Sequence, residues 1–305
     1  MSRVRHGLTV ASFMAPAGIG IAVFFVYPLI SAVYFSFTKF DLLTPPEWVG
    51  LRNYRHVFED PYLHKAAWNT LWLVLVLVPA RMLGGLGSAL LLTSLRRAKG
   101  LFRTIFYLPA LAPPVAATLA FVYLLKPGVG PVNHFLGALG IPGPLWFNSA
   151  AWAKPSLVLL GLWGVGDVMI LYLAALLDVP TEHLEAAQLD GANAWQRFRH
   201  VTLPAISPVV LFTAVIGVIT TLQYFTQAAV AASVASNQAT VGEGVSSGFG
   251  YPEGATFTYP LWLYQVGFRY NAFGYANALG VILFVAAFSV TLILLRRSRT
   301  MEAAA

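Results

Sequence analysis

The chain carries few groups suited to covalent chemistry. It has no cysteine, which excludes disulfide scaffolds, cysteine-ligated zinc, iron–sulfur sites and cysteine nucleophiles. Its six histidines form no H-E-x-x-H pair, and neither a G-x-S-x-G elbow nor a G-x-x-x-x-G-K-[ST] loop occurs. Zincin-type hydrolysis, serine hydrolysis on that elbow and P-loop binding of ATP are therefore outside its repertoire. Three groups of residues remain. Arg81 and Asp167 are isolated charges inside long apolar runs. Thr220, Thr221, Gln223, Tyr224, Phe225, Thr226 and Gln227 bring hydroxyl, amide and aromatic groups together in another run. Residues 178–205 form a polar stretch that includes Glu182, Glu185, Asp190, Arg197 and Arg199. An enzyme working at depth would need paired titratable groups, and only Arg81 and Asp167 are clearly mid-run. Gly84-Gly85-Leu86-Gly87 is glycine-rich but lies inside the second apolar run, so it reads as close helix packing rather than a phosphate cradle.

The elements that hold these residues follow from composition. Hydrophobic residues are 58% of the 305, and Asp, Glu, Lys and Arg only 10%, with mean hydropathy +0.70. A soluble domain carries about 25% charged residues, so much of this surface must face something other than water. The apolar and aromatic content excludes disorder. Charge gaps then locate the spans: none of the four charged types occurs between Arg5 and Lys39, Arg103 and Lys126, or Arg269 and Arg296. A helix needs about 20 apolar residues to cross hydrocarbon. The reading is an all-α integral membrane chain with six transmembrane helices, near 10–36, 68–93, 104–125, 155–177, 206–230 and 274–295. Buried helices of a soluble core would be shorter and would show polar faces. The first run resembles a signal peptide, but at ~28 residues it exceeds a signal core, and no small-x-small site precedes polar sequence; it reads as a retained span. Residues 127–153 hold four Pro and five Gly and read as a loop. Residues 231–273 read as a second long loop with a short helix around Trp262–Phe268.

Orientation follows from Lys and Arg. One set of segments holds Arg3, Arg5, Arg96, Arg97, Lys99, Arg103, Arg197, Arg199, Arg296, Arg297 and Arg299, eleven in all. The opposite set holds seven, Lys39, Arg52, Arg55, Lys65, Lys126, Lys154 and Arg269. The bias places both termini, and loops 94–103 and 178–205, in the cytoplasm. The net charge of +7 thus reports topology. No compact basic stripe with interleaved aromatics argues for nucleic acid.

The 178–205 stretch has its own internal logic. Pro180 and Thr181 start a helix, with Glu182 and Glu185 in turns where the macrodipole favours acids. Gly191 after Asp190 suits a left-handed C-cap. Asn193 caps a second helix carrying Trp195, Phe198 and Val201 on one face, and Leu203-Pro204 ends it before the fifth span. Ala186 and Ala187 leave room for close approach by another protein.

Glu185-Ala186-Ala187, Asp190-Gly191-Ala192 and, with nine residues intervening after Gly191, Val201-x-Leu203-Pro204 resemble the EAA motif of ABC-importer permeases, with Val201 where Ile is usual. Trp48-Val49-Gly50-Leu51-x-Asn53-Tyr54, Phe102-Arg103-x-x-Phe106-Tyr107-Leu108-Pro109 and Gly274-Tyr275-Ala276-x-Ala278 are similar to the carbohydrate-uptake permeases, in the pattern of the maltose-type first permease. The resemblance covers nearly the whole chain. It implies a type I ABC importer permease fold: residues 1–65 the first helix and outer loop, 66–296 the type-1 permease core, 297–305 a cytoplasmic tail. It implies a non-enzymatic subunit in a bacterial or archaeal cell membrane. The partners implied are a second related permease, two ATPase subunits and an extracytoplasmic sugar-binding protein. ATP and Mg would be bound by the ATPase subunits, with no cofactor in this chain. The resemblance assigns ATPase coupling to Glu185, Ala186, Ala187, Asp190, Gly191, Leu203 and Pro204.

For the solute, expected to be a sugar, related permeases line their pathway partly with the fifth span. Gln223, Tyr224 and Gln227 are therefore the expected pathway residues, against the alternative of helix–helix hydrogen bonding. Trp163 and Tyr172 are weaker candidates, for which packing is the favoured role. Arg81 and Asp167 are costly in hydrocarbon and functional by default. They lie at similar depth, roughly 22 and 18 Å along their helices at 1.5 Å per residue. An ion pair, pathway lining, and contacts with the partner permease or water all stay open. The outer loops 38–67, 127–153 and 231–273 are expected to receive the binding protein. Rival readings are import of a glycerol phosphodiester or other polyol, an ion-coupled secondary transporter using Asp167, and a non-transporting scaffold. The absence of an evident internal repeat disfavours the secondary transporter.

Overall fold

The computed structural model describes residues 2–95, 97–237 and 250–302. In chain order its helices are α1 (Ser2–Ile21), α2 (Tyr27–Ser36), α3 (Arg52–Val57), α4 (Pro61–Ser94), α5 (Lys99–Tyr107), α6 (Pro114–Leu124), α7 (Pro131–Ala138) and α8 (Ala150–Trp163). They continue as α9 (Gly166–Leu177), α10 (Thr181–Leu189), α11 (Ala194–Arg197), α12 (Leu203–Ala205), α13 (Ser207–Leu222), α14 (Thr226–Ala235), α15 (Tyr259–Tyr264) and α16 (Phe273–Glu302). The expected all-α class holds, apart from a two-residue antiparallel pair, β1 (Thr38–Lys39) with β2 (Glu47–Trp48), in which Thr38 faces Trp48.

Among the described residues, Ser12–Ser36, Pro61–Ser94 and Phe273–Arg296 are continuous helix long and apolar enough to cross a membrane. The other three apolar runs are broken. Lys99–Leu111 meets Pro114–Leu124 at 99°, Ala150–Trp163 meets Gly166–Leu177 at 47°, and Ala194–Ala205 meets Ser207–Leu222 at 67°. The third and fifth spans, expected as single helices over 104–125 and 206–230, are corrected by local chemistry. Pro113-Pro114 cannot continue a helix from α5, because proline removes donors and pushes the residue before it out of the α region. The fifth run stops at Leu222, bends through Gln223–Phe225, and resumes as the separate helix α14.

Proline also explains a departure in the 178–205 stretch. Leu203-Pro204 does not end the second helix; the helix runs on to Ala205 and breaks at Ile206. Ahead of Pro204 the backbone widens into a π-turn, Phe198–Thr202, with the Leu203 N–H donating to the Phe198 carbonyl. The same device, Ala22–Val26, precedes Pro28 between α1 and α2. A widened turn admits a ring that would otherwise strike the preceding carbonyl. Residues 127–153, expected as loop throughout, contain α7 and a 3-10 turn at Trp146–Asn148. Their Gly and Pro sit at the boundaries: Pro131 opens α7 and Gly140, at φ +72°, follows it.

The chain divides into two compact units. Unit 1 comprises residues 1–61 and 263–286. Within it Asn53 Nδ2 donates to the Ser36 and Thr38 carbonyls (both 2.9 Å) and Tyr275 Oη to Asp60 Oδ2 (2.8 Å). Asp41 accepts the Thr44 N–H, the Thr44 hydroxyl and the Leu43 N–H, and these donors hold its carboxyl below the usual carboxylate pKa. A side chain at Gly274 would collide with the Thr38 carbonyl, so the Gly274-Tyr275-Ala276 motif marks a close backbone approach.

Unit 2 comprises residues 62–262 and 287–305. Its core joins α4, α9 and α13 through Ala89, Leu92, Met169, Tyr172 and Leu173 with Val209 and Val210 against them. Glycine permits the approach: a Cβ at Gly85 would stand 2.8 Å from Val168, and one at Gly161 2.5 Å from Leu77. Of the Gly84–Gly87 run, Gly84 and Gly85 fulfil the packing role expected, while Gly87 faces open space. Helix α14 packs on α6 and buries Ala228, Ala231, Ala232 and Ala235, the small-residue contact typical of membrane helices. At the start of α4, Asn69 Nδ2 donates to the Gly254 (2.8 Å) and Phe257 (2.9 Å) carbonyls, and Lys65 Nζ to that of Glu253 (2.5 Å). These bonds pin the 250–258 turn. Glu243 and the rest of 238–249, part of the loop expected over 231–273, lie outside the described residues.

Candidate solute cavity and coupling loop

A cavity of about 480 Å³ opens in unit 2 where the broken helices interrupt themselves. Its wall is built from Leu77 and Arg81 of α4; Pro109, Ala110 and Ala112 of the turn after α5; Pro114, Ala117 and Thr118 of α6. Leu160, Gly161, Trp163 and Gly164 come from the end of α8, and Asp167 from the start of α9. Thr220, Thr221, Gln223, Tyr224, Thr226 and Gln227 complete it from α13, the Gln223–Phe225 bend and α14. Its volume is within the range of small-molecule sites, about 300–1,000 Å³. Non-helical backbone at membrane depth is tolerated where it lines a cavity, and the breaks at Ala112–Pro114, Gly164 and Gln223–Phe225 abut this one, whereas the bend at Ile206 does not.

All five residues expected along a solute pathway, Arg81, Asp167, Gln223, Tyr224 and Gln227, lie on this wall. Arg81 and Asp167 form the ion pair that the sequence left open, and they do so as lining residues. Arg81 Nη2 donates to Asp167 Oδ1 (2.7 Å) and Oδ2 (2.8 Å), and more weakly to the Gly164 carbonyl (3.4 Å). Asp167 Oδ1 also accepts the Val168 N–H (2.7 Å). Its place in the first turn of α9 adds the favourable field of a helix N-terminus. The carboxylate side chain is 53% exposed and the Arg81 side chain 26%. Arg81 Nε is buried with no hydrogen-bond partner.

The fifth-run residues separate by role. Gln223, the C-cap of α13, is exposed, and Gln227 in the first turn of α14 is half-buried. Tyr224 lines the cavity but is 8% exposed, and its Oη is buried without a partner. Its carbonyl accepts the Thr258 hydroxyl (2.9 Å) and its N–H donates to the Thr221 carbonyl (3.1 Å), so the bend is held by both backbone groups. Thr220 spends its hydroxyl on the Ile216 and Gly217 carbonyls. Trp163 is on the wall, 42% exposed, its ring 5.4 Å from Phe121. Tyr172 is not: it is buried, with Oη 2.7 Å from Thr213 Oγ1, which makes it a packing residue. Thr118, Thr258 and the Pro109–Pro114 segment escaped sequence reasoning. The two prolines at 113 and 114 were the available signal.

The 178–205 stretch forms the expected helix, tight turn and helix. Gly191 has φ +81°. The Ala192 N–H reaches the Ala187 carbonyl (2.9 Å) and the Gly191 N–H that of Gln188 (3.1 Å), which is a Schellman closure. Asn193 then opens α11 with a reciprocal capping box: its Oδ1 accepts the Gln196 N–H (2.9 Å), and Gln196 Oε1 accepts the Asn193 N–H (2.8 Å). Two opposed caps back to back make the corner rigid. Glu185, Ala186, Asp190, Gly191 and Pro204 are exposed, and Ala187 and Leu203 half-buried. Leu189 is 89% exposed, and Trp195 is 66% exposed with its ring 5.7 Å from Phe198. The corner thus presents apolar groups with no partner in this chain's core.

Residues 81–300 match the family model described as binding-protein-dependent transport system inner membrane component. The sulfoquinovosyl glycerol transport system permease protein SmoG of Agrobacterium fabrum (strain C58 / ATCC 33970) is 32% identical over 292 residues, 95% of this chain and 90% of that one. The lactose transport system permease protein LacF of Rhizobium radiobacter is 33% identical over 285 residues, 91% of this chain and 90% of that one. Among solved structures, a bacterial ABC transporter involved in import of the acidic polysaccharide alginate superposes with TM-score 0.81 over 98% of both chains at 22% identity, a likeness of fold.

Proposed function

The chain belongs to the family of binding-protein-dependent transport system inner membrane components, non-catalytic transmembrane subunits of ABC transporters, and on that premise we propose that it forms half of the translocation pathway of a sugar importer. The observation that carries this reading is the cavity at the helix breaks. It brings amide and hydroxyl side chains, a half-exposed carboxylate and the Trp163 ring onto one wall. Hydrogen-bonding groups combined with an aromatic face are what a polyhydroxylated solute requires. The name of LacF, a lactose transport system permease protein, supports the same substrate class.

In this reading a second, related permease closes the pathway from the other side. An extracytoplasmic binding protein delivers the sugar to loops 38–67, 127–153 and 231–273. Two ATPase subunits bind ATP and Mg in the cytoplasm. The bias of Lys and Arg supports cytoplasmic termini in a bacterial or archaeal cell membrane. The Glu185–Gly191 corner inserts into an ATPase cleft and passes its displacement to α13 through α11, the π-turn and α12. Because the corner is doubly capped, it moves as a body rather than absorbing the motion.

The test is uptake of labelled mono-, di- and oligosaccharides and glycerol phosphodiesters, in cells with and without this chain. Selective loss of one sugar is the expected result. Selective loss of a phosphodiester, or of no solute across the panel, would contradict the sugar assignment.

A further inference from the structure

We propose that the cavity is built for uncharged sugars and excludes anionic ones, an inference that rests on reading it as the sugar pathway. Among the residues on its wall only Arg81 and Asp167 carry a charge at neutral pH, and they cancel. The geometry goes further than cancellation. One guanidinium nitrogen, Arg81 Nη2, straddles both carboxylate oxygens, and Arg81 Nε is turned into the protein. The cation is thus the recessed member of the pair and the carboxylate the presented one, 53% exposed against 26%.

A solute entering the cavity therefore meets an anion first. Asp167 does not depend on Arg81 for its position, because the Val168 N–H and the start of α9 also hold it. A carboxylate, sulfonate or phosphate on the solute would have to displace Asp167 from Arg81 at the cost of like-charge repulsion in a partly desolvated site. An uncharged sugar faces no such exchange. A carboxylate offers about four acceptor positions, and three are taken by Arg81, twice, and the Val168 N–H. One remains for a sugar hydroxyl, with the Gln223 and Gln227 amides to pair others and Trp163 to cover an apolar ring face.

The experiment uses the whole complex in proteoliposomes. The probes are neutral mono-, di- and oligosaccharides and, size for size, their uronic-acid counterparts. The wild-type complex is expected to take up a neutral member at least about tenfold better than its counterpart, with no competition from the anion. Asp167→Asn bares Arg81, and the uronic-acid counterpart is expected to inhibit uptake of the neutral sugar, which it does not do in the wild type. Asp167→Glu, which keeps the charge, is expected to keep the exclusion. Wild-type uptake of the acidic member as good as that of the neutral one would overturn the charge inference and leave the sugar reading standing. An assembled Asp167→Asn complex that gains no sensitivity to the anion would do the same. Uptake of no member at all would overturn the sugar reading itself.

Discussion

At the scale of single residues, Arg81 and Asp167 set the charge of the cavity wall. A charge at membrane depth persists only with a partner or with water, and this pair has both, a bond of 2.7 Å and an open cavity on the carboxylate side. Removing one partner of a fully buried pair costs about 3–5 kcal/mol, whereas exposed pairs are worth about 1 kcal/mol or less. With Asp167 half exposed, the cost falls between these limits. Arg81→Gln and Asp167→Asn are each expected to lower uptake about tenfold by stranding the other charge. The double variant is expected to recover part of that loss, because it strands neither. A double variant as impaired as the sum of the singles would show that the two act independently. The sequence placed both residues at one depth, but depth alone did not decide between pairing and lining. The break at Gly164 decides it, by bringing the first turn of α9 and its carboxylate to α4.

At the scale of elements, apolar runs were legible and their interruptions were not. Hydropathy sums over a window and is blind to whether the window holds one helix or two. Pro113-Pro114, Gly164 and Gln223-Tyr224-Phe225 are local signals inside runs whose totals look continuous, and each produces a bend or break beside the cavity. By contrast the 178–205 corner was legible to the residue, because caps are side-chain chemistry with fixed spacing; only the continuation past Pro204 was missed, since the π-turn that admits it has no sequence signature as plain as a cap. Gly191 gives the element-scale prediction. A Cβ there meets nothing within 4 Å, so Gly191→Ala should cost only the left-handed backbone strain, about 1–2 kcal/mol. Gly191→Pro cannot adopt φ +81°, loses the bond to Gln188 and disturbs Asp190 as well. The proline variant is expected to uncouple ATP hydrolysis from uptake, read as hydrolysis that persists while transport falls. Wild-type coupling in that variant would refute the turn's role.

At the scale of the whole molecule, the sequence established the class, from 10% charged residues and six apolar runs, and the motifs carried the family. What it left open was how the 178–205 corner and the cavity relate along the chain. The structure joins them by short segments: α11, the π-turn and α12 run from the Gly191 corner to Ile206, and α13 runs from Ser207 to Leu222 at the cavity wall. The chain carries no P-loop sequence, and in the proposed function the work done on a solute comes through such a contact. The most direct test is therefore the energy source. In proteoliposomes holding the purified complex with the binding protein and its sugar, uptake is measured with ATP on the ATPase side, and separately with an imposed proton or sodium gradient and no ATP. The account predicts uptake that requires ATP and the binding protein and ignores the gradient. Uptake that follows the gradient without ATP would contradict it.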